Sequence, residues 1–281
     1  MAKIKTCAAI HDISGLGKCS LTVALPILSS AGIETSVIPT ALFSNHTAFP
    51  EFYKHDLTEH MLPVARQWKS FGVEFDSLYS GFLGSMEQIN IVSEIFDMFG
   101  NSDNLILVDP VMGDNGKLYK TYSSDMADGM IKLCRKADII VPNMTEAAHL
   151  VGTEYKKGPY TKEYVEHILS ELLKLGAEYV ILTGVYFDDD CLGAACISRA
   201  SGSVSYCFST KYDGFFHGTG DVFASVLLAG IVNGMSVRDA MNRAVGFTSK
   251  SIKNTIDAGT DPLMGVCFEP ELYTLRCTSK I

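Results

Sequence analysis

Four consecutive residues carry the strongest chemical signal in the chain. Gly218-Thr219-Gly220-Asp221 leads into residues 222–232, which are apolar on nearly every side. The two glycines let backbone N–H groups turn towards a ligand with no Cβ in the way. A helix starting here aims its positive dipole end the same way, which makes an anion site suited to charge developing on a phosphate. Asp221 would stand beside the transferred group as the base that accepts a hydroxyl proton. The helix terminus favours the ionised carboxylate, so Asp221 is expected to be a base by position rather than by raised basicity. The same four residues also read as a glycine-rich turn with an Asp in the first helical turn.

A second group of polar residues follows short apolar runs. Asp109-Pro110 comes after Val108, Asn143 and Glu146 come after Val141, and Thr183-Gly184 comes after Leu182. If those runs are parallel strands, all three groups share the carboxyl edge of one sheet, where open α/β sheets bind ligands. Helix capping explains any one of them. It explains less well an edge carrying two candidate metal-side carboxylates, Asp109 and Glu146, together with an amide.

Two other segments need weighing. Ser14-Gly15-Leu16-Gly17-Lys18-Cys19-Ser20 resembles a P-loop but fails its pattern. The first Gly would fall at Asp12, and Cys19 takes the Ser/Thr position that holds magnesium. The loop still follows the first strand and could line a substrate pocket. Ser44-Asn45-His46-Thr47 offers four hydrogen-bonding side chains in a row, suited to a small polar ring. A lone His in such a loop is more often structural. No GxGxxG occurs, which leaves a dinucleotide site without support.

These residues need a frame. Strands are predicted at 6–10, 35–42, 77–81, 105–108, 139–141 and 179–182, with helical spacing between them. Ser85 and Thr161 are candidate helix caps, the second helix ending at Gly176. Such alternation implies parallel strands covered by helices on both faces. Residues 194–197 and 204–208 flank Ala200-Ser201-Gly202-Ser203 and read as an antiparallel hairpin. Residues 222–232 read as a buried central helix stopping at Asn233-Gly234. Ser236 and Asp239 suggest a capping box for a further helix to about Ile252. The stretch from Thr255 to Ile281 is expected to pack on the sheet edge.

Composition bounds the remaining possibilities. The 281 residues carry 47% apolar and 20% charged side chains, an ordinary globular mixture read here as a single domain, 1–281. No apolar run reaches the roughly 18–20 residues of a spanning helix. The N-terminus lacks the features of a signal peptide, so a cytoplasmic protein without a membrane partner is expected. A formal charge of −9 argues against nucleic-acid binding through a broad basic face. Eight cysteines without a CxxC spacing are read as buried thiols rather than a zinc site or a disulfide framework.

The chain resembles the ribokinase-like (PfkB-type) small-molecule kinases, in particular their pyridoxal/pyridoxamine kinase branch, from His11 to about Lys253. Gly218-Thr219-Gly220-Asp221-Val222-Phe223 looks like that family's anion-hole and base signature. Val108-Asp109-Pro110-Val111-Met112-Gly113-Asp114 and Pro142-Asn143-Met144-Thr145-Glu146-Ala147 match two further motifs in the same order. Ser44-Asn45-His46-Thr47 and Ser80-Gly81-Phe82 look like the substrate-side motifs. The implied fold is a three-layer α/β/α sandwich with a mostly parallel sheet and an antiparallel edge hairpin.

The resemblance also implies roles. Asp221 would deprotonate the 5′-hydroxymethyl group of a B6 vitamer, with Gly218, Thr219 and Gly220 as anion hole. Asn143 and Glu146 would position magnesium, largely through water, with Asp109 near the metal and the γ-phosphate of ATP. Thr183 and Gly184 would lie beside the nucleotide, and Asp114 and Tyr119 would approach its phosphates as a partial lid. Ser14, Asn45, Thr47 and Phe82 would contact the pyridine substrate. Potassium and a homodimer are further expectations from the family. Two departures stand out: Phe82 replaces the Tyr of many pyridoxal kinases, and the 14–19 loop resembles bacterial pyridoxamine-kinase-like members. A hydroxymethylpyrimidine kinase, or a dual-specificity enzyme that uses both acceptors, is the nearest competitor, but the hydroxymethylpyrimidine group often carries Cys where Asp221 stands. A sugar kinase lacks room for its lid between Ile10 and Leu42. A silent nucleotide- or vitamer-binding sensor would need none of Asp221, Asn143 and Glu146.

Overall fold

A computed structural model of the chain describes residues 3–119, 122 and 124–276. It opens with β1 (Lys5–Ser14), α1 (Leu21–Ser30), β2 (Ile33–Phe43), β3 (Lys54–Asp56), α2 (Thr58–Ser70), β4 (Ser77–Ser80) and α3 (Met86–Phe99). Then come β5 (Leu105–Val108), the short β6 (Gly113–Asp114) and β7 (Lys117–Leu118), α4 (Ser124–Cys134), β8 (Ile139–Ile140) and α5 (Met144–Val151). The last elements are α6 (Lys162–Leu173), β9 (Tyr179–Val185), β10 (Cys191–Ser198), β11 (Val204–Thr210), α7 (Thr219–Val232) and α8 (Val237–Asp257). The mostly parallel sheet with helical layers is the three-layer α/β/α class expected from sequence.

Contacts divide the chain into two compact units, 1–78 with 212–281 and 79–211. In the first, β2 pairs parallel with β1 and antiparallel with β3, a strand that the sequence reading lacks. The β1 residues Cys7–Ile10 are buried without interruption, as expected of a strand covered on both faces. Helix α7 is buried from Val222 to Gly230, which explains its lack of a polar stripe. A Cβ on Gly230 would stand 2.9 Å from the Ala240 Cβ of α8, so this glycine is what lets the two helices meet. Ser236 caps α8 by accepting the Asp239 N–H at 3.1 Å. The Ser236 hydroxyl also donates to the Asp239 carboxylate at 2.6 Å, so the side chains pair with each other and only the Ser236 half of the expected box forms. The helix runs on to Asp257, five residues past the expected end.

The C-terminal stretch corrects another expectation. Residues 262–264 and 269–275 form two short 3-10 turns, and the second packs on α1 and α8 rather than on a sheet edge. Val266, Phe268 and Leu275 are fully buried there, and apolar burial of this kind is what holds a segment without regular structure.

In the second unit the hydrogen-bonded strand order is β11-β10-β9-β8-β5-β4. Strands β5, β8 and β9 run parallel, and β10 and β11 add the antiparallel hairpin. Ser85 caps α3 through the Gln88 N–H and Thr161 caps α6 through the Tyr164 N–H, both as expected. Helix α6 stops at Leu173, three residues before Gly176.

The seven described cysteines are free thiols. Four of them, Cys7, Cys134, Cys196 and Cys207, are buried, and the others are half-buried. Cys277 lies outside the described residues. Among the described residues no helix is long and apolar enough to cross a membrane.

Candidate active site

In the first unit the Gly-Thr-Gly-Asp segment opens α7 as expected. Gly218 is the N-cap, at φ 78° and ψ 2°. A Cβ there would stand 2.0 Å from the Lys18 carbonyl oxygen, so both conformation and space demand glycine. A Cβ on Gly220 would meet no protein atom within 4 Å, so packing does not dictate that glycine. The Thr219 hydroxyl donates to the Phe216 carbonyl at 3.2 Å, which closes the turn into the helix.

Asp221 lies in the first turn of α7 and accepts the Ser20 N–H. Its side chain keeps part of its surface open, yet protein encloses the carboxylate on most sides. That enclosure, together with the negative charge of Asp12, pushes its pKa up to about 7. The expectation of a base by position alone is corrected here. Desolvation outweighs the helix terminus, and Asp221 is also basic enough to hold a proton near neutrality.

The 14–20 loop frames this carboxylate. Ser14 is buried and its hydroxyl donates to Asp12 at 3.0 Å. Ser20 donates its hydroxyl to the other Asp12 oxygen at 2.5 Å. Lys18 is held by Glu269 at 2.8 Å, and its N–H donates to the Met264 carbonyl at 3.3 Å. The Cys19 thiol is pushed well up, first by burial and then by Asp221 and Asp12, so it stays protonated.

The 44–47 segment divides by role. Asn45 is committed to its own turn: its carbonyl oxygen accepts the Ser44 hydroxyl at 2.7 Å and its amide donates to Glu51 at 2.9 Å. Thr47 is exposed. His46 is buried, with Nε2 2.6 Å from the Leu263 carbonyl, and Nδ1 accepts the Ala48 N–H at 3.3 Å. That assigns the Nε2–H tautomer, and burial lowers its pKa, so the ring is neutral and structural. A Cβ on Gly17 would fall 2.2 Å from the His46 ring, and His217 stacks on it at 4.8 Å.

In the second unit the shared sheet edge is present. The Asp109 N–H donates to Ser80 at 2.9 Å, Val141 to Val108 at 3.0 Å and Thr183 to Pro142 at 2.9 Å. Asn143 and Thr183 form a parallel bridge. Asp109 and Asn143 therefore follow the ends of the neighbouring strands β5 and β8, whereas Thr183 and Gly184 lie inside β9, which runs on to Val185, three residues past the expected end, because β10 pairs with it there. Asp109 is buried, Gly184 sits at φ 72° and Phe82 is half-buried.

Capping accounts for part of this group as well. Asn143 caps α5, accepting the Thr145 and Glu146 N–H groups at 2.8 and 3.0 Å. Glu146 accepts the Asn143 N–H at 2.8 Å and the Met112 N–H at 3.1 Å. It is buried, and desolvation raises its pKa against the pull of those two N–H groups, with Asp114 adding to the rise.

The sequence reading misses how Asp114 is held. Asn115 and Gly116, at φ 50° and 77°, make a two-residue turn between β6 and β7. Asn-Gly is the strongest short hairpin signal and stood in the sequence unread. The Asn143 amide donates to Gly113 at 2.9 Å and the Gly116 N–H to the Thr145 hydroxyl at 2.9 Å, pinning the hairpin to the start of α5. Burial raises the Asp114 pKa, and the Asn115 N–H at 2.8 Å opposes it. Tyr119 follows the hairpin, 38% exposed.

Comparison with known proteins places the chain in a family. The phosphomethylpyrimidine kinase family model matches residues 35–264. A Bacteroides thetaiotaomicron structure, provisionally named a phosphomethylpyrimidine kinase and solved with pyridoxal, superposes with a TM-score of 0.93 at 38% identity, covering 97% of this chain and 96% of the other. The Lactobacillus plantarum pyridoxal kinase gives 0.89 at 30% identity, with 97% of each chain covered. A Dictyostelium discoideum pyridoxal kinase is 28% identical over 75% of this chain and 72% of its own length. The chain belongs to the phosphomethylpyrimidine kinase family, ribokinase-like phosphotransferases acting on an alcohol group.

Proposed function

We propose that this chain transfers the γ-phosphoryl group of ATP to the 5′-hydroxymethyl group of pyridoxal, pyridoxamine or pyridoxine, with Asp221 as general base. The observation that carries the reading is Asp221 at the start of α7, beside a left-handed Gly218 and with a pKa near neutrality. A base with a pKa near the working pH takes a hydroxyl proton most effectively. The N–H groups of Gly218, Thr219 and Gly220 form the anion hole for the charge that develops on the phosphoryl oxygens. The family resemblance assigns Ser14, Asn45, Thr47 and Phe82 to the ring, of which Ser14 and Asn45 would have to give up their bonds to Asp12 and to Ser44 and Glu51. Phe82 supplies an apolar face without a hydroxyl.

The nucleotide side of the reaction is assigned to the second unit. Thr183 and Gly184 lie beside the nucleotide, and Asp114 and Tyr119 approach its phosphates. Asn143, Glu146 and Asp109 would hold magnesium, which would supply neutralisation of the phosphate charge. The donor set fits a hydrated ion. Glu146 and Asn143 already accept backbone N–H groups, so they serve through water, and Asp109 is the second carboxylate of the set. Magnesium commonly keeps several of its waters. The family resemblance adds potassium, a homodimer and a cytoplasmic location to this reading.

Hydroxymethylpyrimidine is the second acceptor to test, because the matched family model is named for phosphomethylpyrimidine kinase. Asp221 favours the pyridine acceptors over it. A panel with magnesium-ATP and pyridoxal, pyridoxamine, pyridoxine, hydroxymethylpyrimidine and ribose decides. Fastest turnover on a B6 vitamer supports the proposal, and fastest turnover on hydroxymethylpyrimidine replaces it. Turnover of none favours a binding protein that has lost catalysis.

A further inference from the structure

Asp12 is a buried carboxylate that the proposed reaction does not use. It is 4% exposed on β1, and its two oxygens accept the hydroxyls of Ser14 at 3.0 Å and Ser20 at 2.5 Å. No ion pair to Asp12 is present among the described residues. Burying a carboxylate without a counter-ion is unfavourable, so fold stability alone is a poor reason for it.

Ser20 is unusual in two ways. It is a non-glycine residue at φ 54° and ψ −128°, a conformation that costs roughly 1–3 kcal/mol and persists only where its surroundings impose it. It is also the N-cap of α1, yet its hydroxyl makes no cap bond there. Serine at this position ordinarily accepts an N–H of the first turn. Here the hydroxyl is turned to Asp12 instead, and the N–H of the same residue is left to donate to Asp221. An antiparallel bridge between Ile13 and Ser20 closes the loop on β1.

We propose that Asp12 is a positioning residue that acts on Asp221 through Ser20. The hydroxyl bond fixes the strained Ser20 backbone, and that backbone aims its N–H at the Asp221 carboxylate. Asp12 also acts by charge, since a nearby negative group favours the protonated form of Asp221 and so strengthens it as a base. The groups facing Asp221 are few. From β1 there is Asp12, and from the 15–20 loop there is the protonated Cys19. Lys18 is paired with Glu269, and neither α1 nor the rest of α7 carries a titratable side chain. The inference rests on Asp221 being the base of the proposed reaction.

Two substitutions separate the link from the charge. Ser20→Ala removes the hydroxyl and leaves Asp12 charged, whereas Asp12→Asn removes the charge and leaves an acceptor for Ser20. Steady-state kinetics with magnesium-ATP and pyridoxal from pH 5.5 to 9, alongside thermal unfolding, read both. Ser20→Ala lowers kcat about tenfold or more, the scale of a slightly misplaced catalytic group, with both KM values within about twofold. Asp12→Asn moves the acid limb of the kcat profile about one pH unit lower, because Asp221 loses a like-charged neighbour. A wild-type kcat in Ser20→Ala overturns the link, and an unmoved acid limb in folded Asp12→Asn overturns the charge effect. If Asp12→Asn does not fold, Ser20→Ala alone decides. An active wild type with unaffected variants overturns this inference only. A wild type inactive on every acceptor overturns the proposed function and this inference with it.

Discussion

Asn143 and Glu146 satisfy one another: the Asn143 side chain accepts the Glu146 N–H at 3.0 Å, and the Glu146 carboxylate accepts the Asn143 N–H at 2.8 Å. The pair is a reciprocal helix cap in which Ser or Thr is more usual at the first position. Glu146 reaches further, to the Met112 N–H, so one carboxylate ties α5 to the loop after β5. Glu146→Ala should therefore do two things. It should lower stability by roughly 1–3 kcal/mol for each buried N–H left without an acceptor, read by denaturant unfolding. It should also raise the magnesium concentration for half-maximal rate. A loss of stability with an unchanged magnesium titration would leave Glu146 a purely structural cap.

Gly218→Ala is expected to cost more than an ordinary glycine replacement. The new Cβ would meet the Lys18 carbonyl at 2.0 Å on a backbone at φ 78°. Either the 14–20 loop or the start of α7 must shift, and the proposed anion hole would shift with it. We expect kcat to fall at least tenfold, with pyridoxal affinity by titration calorimetry changed much less. Wild-type kcat in this variant would remove Gly218 from the anion hole.

The Asn115-Gly116 hairpin yields a prediction specific to the nucleotide. A Cβ on Gly116 would stand 2.5 Å from the Tyr155 ring, at φ 77°. Gly116→Ala should distort the turn that carries Asp114 and raise the KM for ATP several-fold. The KM for pyridoxal should stay within about twofold. Equal rises in both constants would argue against a nucleotide-side role for the hairpin.

The raised pKa of Asp221 has a definite sign in both activity and stability. Protonation removes the base, so kcat should fall as pH drops through about 7. Stability runs the other way. The folded chain holds this proton up to about pH 7, whereas the unfolded carboxyl releases it near 3.8. The folded state therefore binds more protons in that window, and the fold weakens through this group as pH rises across it. Thermal unfolding of wild type and Asp221→Asn from pH 4 to 8 should show the variant gaining relative stability up to about pH 7 and no further. A gap that does not change with pH would mean that Asp221 titrates at its ordinary value.

Much of this was legible in the chain because local chemistry and tertiary demand coincide. Residues 222–232 lack a polar stripe, and α7 is buried. Ser85 and Thr161 cap the helices that their positions suggest. Asp109, Asn143 and Thr183 follow apolar runs, and the runs are neighbouring parallel strands. What sequence spacing could not show was tertiary. The basicity of Asp221 depends first on enclosure that no local pattern records and then on Asp12, 209 positions away in the chain. A lone His in the 44–47 loop reads as structural from sequence, but the Leu263 carbonyl that holds His46 comes from the far end of the chain, where no local pattern points. Asn115-Gly116 was different: the turn signal was local, and the strands it joins are only two residues each, too short to show a pattern.

The central claim is that Asp221 is the base for phosphoryl transfer to a pyridine hydroxymethyl group. The direct test is single-turnover and steady-state kinetics of Asp221→Asn with magnesium-ATP and pyridoxal, paired with calorimetric binding of each substrate. The account predicts nearly intact binding and a turnover reduced roughly a hundredfold or more, the scale of a lost general base. Turnover near the wild-type rate in a folded, substrate-binding Asp221→Asn protein would contradict it.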